Sequence, residues 1–347
     1  MPPGPPATVA GRPDDSGRVQ TRPTGIAPGV RARRCRRLAS IAAAAALIGA
    51  VPAGARPASG AGAGAVGLRV MRIVERGRSI RLAHGRRAAR VLRTEVRYPA
   101  AGPGGGADLR AAPPQPLGEP YPLVVFAHGF DSTPGVYRRL LLSWVRAGYV
   151  VAAPLFPLEG AGAPGGPDRS DLVNEPRDVS EVITRLLAAS RTPGSPLRGL
   201  IDPTRIAVAG QSDGGEVALA DAYSTRLRDT RIGAAVVMSG AEMSEIGGFA
   251  FHRGEPPLLA VQGTADTSNE PHYTYEYFDS ARRPKFLLRL LGAGHLPPYT
   301  FEQPQLGLVE RVTADFLQDF LGHGRRALGA LERLGNTRGV SSLTADP

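Results

Sequence analysis

Residues 210–214, Gly-Gln-Ser-Asp-Gly, place a serine between two glycines. A serine hydroxyl is a weak nucleophile near neutral pH, so a reactive one needs a base, a group that orients the base, and donors for an oxyanion. The apolar residues 206–209 predict a strand before the serine, and residues 216–223 predict a helix after it. A sharp strand-to-helix turn of this kind exposes the hydroxyl. We therefore predict that Ser212 is a nucleophile; the alternative is a glycine-rich turn with a capping serine.

A base and an acid for Ser212 follow later predicted strands. His295 stands in Gly-Ala-Gly-His-Leu directly after the last predicted strand, and Asp266 comes just past an earlier one. Ligands of open α/β sheets bind at the edge where the carboxyl ends of parallel strands meet. We therefore expect His295 to be the base and Asp266 to orient it. Glu242 is the alternative acid, and the alternative for His295 is a surface or core histidine.

An oxyanion needs two backbone N–H donors. One is expected from Asp213, the residue after the nucleophile, and the other from the loop His-Gly-Phe that follows the predicted strand 123–126. In that loop the N–H of Phe130 is the best candidate. We expect His128 to shape the loop and to take no part in proton transfer.

Strand and helix patterns alternate along most of the chain. Short apolar runs predict buried strands, at residues 123–126, 149–153, 206–209, 234–238, 258–261 and 286–290. Amphipathic spacing predicts helices, over residues 137–145, 179–187, 216–223 and 308–316. This alternation predicts a mostly parallel twisted sheet with helices on both faces. Two earlier strands, 68–74 and 91–96, are expected to pair antiparallel at one edge, and residues 100–119 to form a loop.

Four segments of different character are expected along the 347 residues. Residues 1–55 form an N-terminal extension with a signal peptide, and the Ala/Gly-rich residues 56–67 form a flexible lead-in. One catalytic domain covers residues 68–322. Residues 323–347 are expected to form a short helix and a polar tail.

The net charge of +11 is concentrated toward the N-terminus. Residues 1–55 hold eight arginines and two aspartates, a balance of +6, and the rest of the chain carries +5 without a long basic run. A nucleic-acid partner is therefore not expected. No His/Cys/Asp cluster has metal-ligand spacing, so we expect neither a metal nor a cofactor. The one cysteine, Cys35, leaves the mature chain without a thiol or a disulfide.

The N-terminal region has the pattern of an export signal. Five arginines between positions 31 and 37 precede an uncharged, alanine-rich run, and Ala53-Gly54-Ala55 offers small residues for a signal peptidase. This order predicts a secretory signal peptide that is cleaved near Ala55, and hence a secreted or extracytoplasmic protein. The alternative is an uncleaved N-terminal segment that anchors the protein in the membrane.

Three stretches together resemble the α/β-hydrolase superfamily. These are Pro-Leu-Val-Val-Phe-Ala-His-Gly-Phe at 122–130, Asn-Glu-Pro-Arg-Asp-Val at 174–179, and residues 206–215. Within the superfamily, the chain is similar to the group of predicted dienelactone hydrolases, platelet-activating-factor acetylhydrolase-like esterases, chlorophyllases and cutinase-type polyester hydrolases. The order Ser212, Asp266, His295 is the order found in the superfamily. True dienelactone hydrolases use a cysteine nucleophile where this chain has Ser212, so lactone specificity is not implied.

The resemblance implies an α/β-hydrolase fold over about 68–322. Together with the predicted signal peptide and the predicted triad, it leads us to expect an exported serine hydrolase that cleaves a small-molecule or lipid ester through an acyl-enzyme. A serine peptidase or a cell-envelope acyltransferase is the alternative enzyme, and an inactive binding protein is the alternative outside enzymes. The segment between the strands ending at Met238 and starting near Pro257 is too short for a large cap, which predicts an open site. Its apolar residues either line an acyl site or pack on the core, and they are Met243, Ile246, Phe249 and Phe251. Association with the cell envelope and the oligomeric state stay open.

Overall fold

The computed structural model describes residues 64–115, 118–246, 248–252, 254–322 and 329–347. The predicted export signal, with its cleavage position near Ala55, lies outside the described residues. Within them, no helix is both long enough and apolar enough to cross a membrane.

Ten strands of the described chain form one mixed sheet, ordered β10-β9-β8-β7-β6-β4-β5-β2-β1-β3. The strands are β1 Val66–Arg81, β2 Arg87–Pro99, β3 Asp108–Arg110, β4 Tyr121–Ala127, β5 Val150–Leu155, β6 Ile201–Gln211, β7 Ile232–Met238, β8 Leu258–Gly263, β9 Lys285–Leu290 and β10 Ser341–Asp346. The six central strands, from β5 to β9, are parallel to one another. The predicted parallel sheet and the predicted antiparallel pairing of the first two strands are therefore confirmed.

Helices cover both faces of this sheet. They are α1 Arg138–Arg146, α2 Glu175–Arg191, α3 Asp213–Tyr223, α4 Pro271–Ser280, α5 Pro297–Thr300, α6 Gln305–Leu321 and α7 Gly329–Gly335. Side chains of a strand point alternately to the two faces. In β4, Leu123 and Val125 accordingly join the core under α2, α3 and α4, while Val124 and Phe126 join the core under α1 and α6. Burial on both faces explains why the central strands are continuous apolar runs.

The C-terminal region differs from the predicted polar tail. Residues 341–346 form β10, which pairs antiparallel with β9 and closes that edge of the sheet. Leu343 packs into the core, whereas its neighbour Ser342 is half-buried and its neighbour Thr344 is exposed. The sheet thus continues well past residue 322. The predicted loop 100–119 also contains β3, which pairs with β1 over three residues.

A group of buried charges joins the β1–β2 hairpin to α2; we call Glu75, Arg78, Arg90, Asp171 and Asp178 the α2 cluster. Arg90 is 2% exposed and donates from Nε to both oxygens of Asp178, at 2.7 and 2.9 Å, and from Nη1 to Asp171 at 2.9 Å. Arg78 bonds Asp178 at 2.7 Å and Glu75 at 2.6 Å. The cluster therefore fixes the start of α2 and the turn before it against the antiparallel edge of the sheet.

Candidate active site

Ser212 lies at the sharp turn between β6 and α3, where the backbone has φ +58° and ψ −127°. A serine at positive φ costs free energy and persists only where its surroundings impose it. Here the surroundings are closely packed backbone atoms of the same turn and of the end of β4. A Cβ on Gly210 would lie 1.8 Å from the carbonyl oxygen of Gly214, and a Cβ on Gly214 would lie 2.2 Å from that of Ala127. The glycines let the turn close, and the turn leaves Ser212 partly exposed at the carboxyl edge of the sheet.

The structure brings Ser212, His295 and Asp266 into one hydrogen-bonded chain. The Oγ of Ser212 is 2.8 Å from Nε2 of His295, and Nδ1 of His295 is 2.8 Å from Oδ2 of Asp266. A carboxylate only accepts hydrogen bonds, so Nδ1 carries the proton and Nε2 is free to accept one from the serine. The three residues come from separate loops after β6, β9 and β8. This geometry fits the roles predicted for the three residues, those of a nucleophile, a base and an orienting acid.

Asp266 is held as an anion in a fixed orientation. Its Oδ1 accepts from the N–H groups of Ser268 at 2.9 Å and Asn269 at 3.0 Å. Burial acts to raise the pKa of Asp266, but the hydrogen bond and the charge of His295 outweigh it and hold this pKa below its ordinary value. Because Asp266 occupies Nδ1 of His295, the alternative acid Glu242 does not hold that position.

The loop after β4 lies directly against the nucleophile. A Cβ on Gly129 would be 3.1 Å from Cβ of Ser212. His128 is fully buried; its Nδ1 bonds the carbonyl oxygen of Gly129 at 2.9 Å, and its Nε2 accepts from the N–H of Phe156 at 3.1 Å. Burial lowers the pKa of His128 to about 4, so the ring is neutral at neutral pH.

The bond to His128 also orients the next N–H group. In a trans peptide the C=O and N–H point in opposite directions. With the Gly129 carbonyl turned toward His128, the N–H of Phe130 is turned the other way. The second predicted donor, the N–H of Asp213, lies in the first turn of α3, where N–H groups have no partner within the helix. The role predicted for His128, that of shaping this loop, agrees with these contacts.

Two residues that the sequence patterns did not single out connect the two sides of the site. The hydroxyl of Tyr137 donates to Oε1 of Gln211 at 2.7 Å and accepts from the N–H of Gly129 at 3.3 Å. Gln211 in turn donates to the carbonyl oxygen of His295 at 3.1 Å. The loop after β4 and the loop after β9 are therefore tied through one glutamine. In the sequence, Gln211 could have been noticed because it precedes the serine, whereas Tyr137 was visible only as one residue of an apolar helix face.

A second set of unpredicted contacts surrounds the start of α3; we call Glu159, Arg169, Asp213 and Glu216 the α3 cluster. Arg169 donates from Nε and Nη2 to the two carboxylate oxygens of Asp213, at 2.7 and 3.1 Å, and from Nη2 to Glu216 at 3.0 Å. Glu159 is fully buried beside Asp213 and Glu175. Two carboxyl groups form a hydrogen bond only when one of them carries a proton. Burial raises the pKa of Glu159 to about 9, which supplies that proton.

The apolar residues between β7 and β8 pack mainly on the core. Met243 is fully buried, and Ile246, Phe249 and Phe251 lie against the core under α2, α3 and α4. The ring of Phe251 is 4.9 Å from that of Tyr223 in α3. Of the two predicted roles, packing therefore fits these contacts better than an acyl wall. The described residues of this segment contain neither a helix nor a strand, so they build no cap domain.

This geometry has three of the parts that acyl transfer to serine requires: a partly exposed hydroxyl, a base within hydrogen-bonding distance and an anchored acid. In the part of the chain that the structure describes, no three His, Cys, Asp or Glu side chains are grouped so that they could hold a metal.

The sheet order and the helices on both faces define an α/β-hydrolase fold. A ferulic acid esterase from Streptomyces cinnamoneus is a structural neighbour, with a TM-score of 0.56 and 21% sequence identity over 76% of this chain and 92% of that chain. No family model matches the chain, and no curated protein matches it. At this identity, the likeness bears on the fold alone.

Proposed function

We propose that the protein is a serine hydrolase that cleaves carboxylic esters through an acyl-enzyme. The observation that carries the proposal is the hydrogen-bonded chain from Ser212 through His295 to Asp266, with Ser212 held at positive φ. The name of the structural neighbour, an esterase, supports the choice of an ester as the substrate class.

In the first half of the reaction, Oγ of Ser212 attacks the ester carbonyl while Nε2 of His295 takes the hydroxyl proton. The N–H groups of Phe130 and Asp213 stabilise the oxyanion that forms. Asp266 stabilises the imidazolium. His295 then gives its proton to the leaving alcohol as the C–O bond breaks, and the acyl group stays on Ser212.

In the second half, water attacks the acyl carbonyl and gives a proton to His295. Collapse of the second tetrahedral intermediate breaks the bond to Oγ, and His295 returns the proton to Ser212. The products are a carboxylic acid and an alcohol, and the enzyme is regenerated without a cofactor. The exported location expected from residues 1–55 stays part of the proposal, and N-terminal sequencing of protein recovered from the medium of an expressing bacterium tests it.

Labelling with a fluorophosphonate probe tests the nucleophile. We expect one equivalent of label on the wild-type protein and none on Ser212→Ala, with Ser280→Ala, an exposed serine at the end of α4, as a control that still labels. A folded wild-type protein that stays unlabelled would contradict the proposal.

A panel of p-nitrophenyl esters of increasing acyl length, a feruloyl ester and a peptide amide tests the reaction class. We expect ester hydrolysis to exceed amide hydrolysis in kcat/KM. Faster cleavage of the amide would favour a peptidase, and acyl transfer to an added alcohol in place of hydrolysis would favour a transferase.

A further inference from the structure

The side chain after the nucleophile is acidic, which is unfavourable beside a reaction that generates negative charge. The N–H of Asp213 is one of the two proposed oxyanion donors, and its side chain lies in the first turn of α3. The positive end of the helix dipole stabilises negative charge in that turn. An unpaired carboxylate there would compete with the oxyanion for the same field and would repel it.

The neighbouring acids of the α3 cluster add little to that negative charge. Burial raises the pKa of Glu159 to about 9 and that of Glu216 to about 8, so both are mainly protonated near neutral pH. Asp213 is 4% exposed and thus has little access to screening water. The charge that has to be balanced beside Ser212 is therefore mainly that of Asp213.

Arg169 is the cation placed to balance it. It stands 44 positions away in sequence and reaches Asp213 with two parallel N–H···O bonds, the geometry that fixes a carboxylate most firmly. Its own segment is fixed as well. Asp168 accepts from the N–H of Ser170, and Asp171, two residues on, is bound by Arg90 of the α2 cluster. The backbone that carries Arg169 is therefore fixed by hydrogen bonds on both sides of the residue.

We propose that Arg169 is a positioning residue of the reaction: it neutralises and orients Asp213, so that the Asp213 N–H serves the oxyanion without opposition from the Asp213 carboxylate. This assignment rests on the proposed ester hydrolysis. Under this assignment, loss of the Arg169 cation lowers kcat only while the Asp213 carboxylate is still present.

Kinetics of Arg169→Gln and of the double variant Arg169→Gln/Asp213→Asn test the assignment, with kcat expressed per active site titrated by fluorophosphonate. We expect Arg169→Gln to lower kcat for p-nitrophenyl acetate about tenfold, less than the loss of an oxyanion donor, with KM within about twofold. The double variant should return to within about threefold of the wild type, because the uncompensated anion is gone. Arg169→Lys, which keeps the charge but loses the two parallel hydrogen bonds, should have a kcat between those of Arg169→Gln and the wild type.

Arg185→Gln is the matched control, since Arg185 forms a comparable half-exposed pair with Glu181 on α2, and its kcat should equal that of the wild type. If the wild type is active and Arg169→Gln has the same kcat, the role of Arg169 is overturned, while the proposed ester hydrolysis stands. The same holds if the double variant stays as slow as Arg169→Gln. A folded wild type that hydrolyses no ester overturns the proposed function and the assignment with it.

Discussion

The α2 cluster and the α3 cluster both combine arginines with buried carboxyl groups, but they pair these charges differently. In the α2 cluster a fully buried arginine binds two carboxylates, and a second arginine shares one of them. In the α3 cluster the cation Arg169 is 49% exposed in its side chain, and the buried acid Glu159 has no cation bonded to it. Ion pairing opposes the effect of burial in the α2 cluster, where the pKa of Asp178 rises to about 7, whereas burial raises the pKa of Glu159 in the α3 cluster to about 9. The first arrangement is suited to holding the fold, and the second, beside Ser212, to supporting a reaction.

The largest effect is expected from a buried acid of the candidate active site that is changed without a change of shape. Asp266→Asn should lower kcat about 10⁴-fold, because an amide cannot hold the His295 tautomer or stabilise the imidazolium. The folded state should persist, since the amide oxygen still accepts from Ser268 and Asn269. Steady-state kinetics and thermal melting measure the two effects. Near-normal kcat would remove Asp266 from the proposed mechanism.

Breaking the α2 cluster should have the opposite profile. Arg90→Met leaves Asp178 and Asp171 buried without their main cation and should lower the free energy of unfolding by about 3–5 kcal/mol. The kcat per folded molecule should change much less than in Arg169→Gln, because Arg90 acts on the segment of Arg169 only through Asp171 and touches none of the reacting groups. Urea unfolding measures the loss. Arg93→Met, which removes an exposed arginine of the same strand, is the control and should cost less than about 1 kcal/mol. Equal losses in both variants would remove the distinction between the clusters.

A smaller effect should appear in the pH dependence of stability, through Glu159 of the α3 cluster. The pKa of Glu159 is raised from 4.5 to about 9 by burial, so the folded protein keeps a proton that the unfolded chain releases between these values. The stability associated with that proton is present at low pH and is lost as the pH rises through this window. Glu159→Gln cannot titrate, so its unfolding free energy should fall less between pH 6 and 9, by on the order of 2 kcal/mol.

Urea unfolding at a series of pH values measures this difference between Glu159→Gln and the wild type. Glu181→Gln, on the solvent-facing side of α2, should keep the pH dependence of the wild type. Parallel pH profiles for the wild type and Glu159→Gln would mean that Glu159 is already ionised in the folded protein at neutral pH.

The sequence patterns predicted much of this fold because the central strands carry their own signal. Each is a short apolar run followed by an amphipathic helix, and the rule that strand carboxyl ends share an edge then placed Ser212, Asp266 and His295 together. The strand β10 had no such signal. Its residues Ser-Ser-Leu-Thr-Ala-Asp contain one large apolar side chain, and its conformation depends on pairing with β9.

The contacts between side chains from distant segments could not be predicted. Arg169 and Asp213 are 44 residues apart, and Tyr137 and Gln211 are 74 residues apart. Periodicity assigns each of them to an element, but it does not say which polar tip meets which across two packed elements. Glu159 is a further case, since an acid in a Pro/Gly-rich loop predicts an exposed side chain, and tertiary packing buries it instead.

The turn at Ser212 has a consequence for how such a protein can drift in evolution. The space around Gly210 and Gly214 is closed by backbone atoms, which cannot change rotamer to make room for a Cβ. The side chain of Ser212, by contrast, is partly exposed at the edge of the sheet. In proteins that share this turn, we therefore expect the two glycines to tolerate substitution less well than the serine between them.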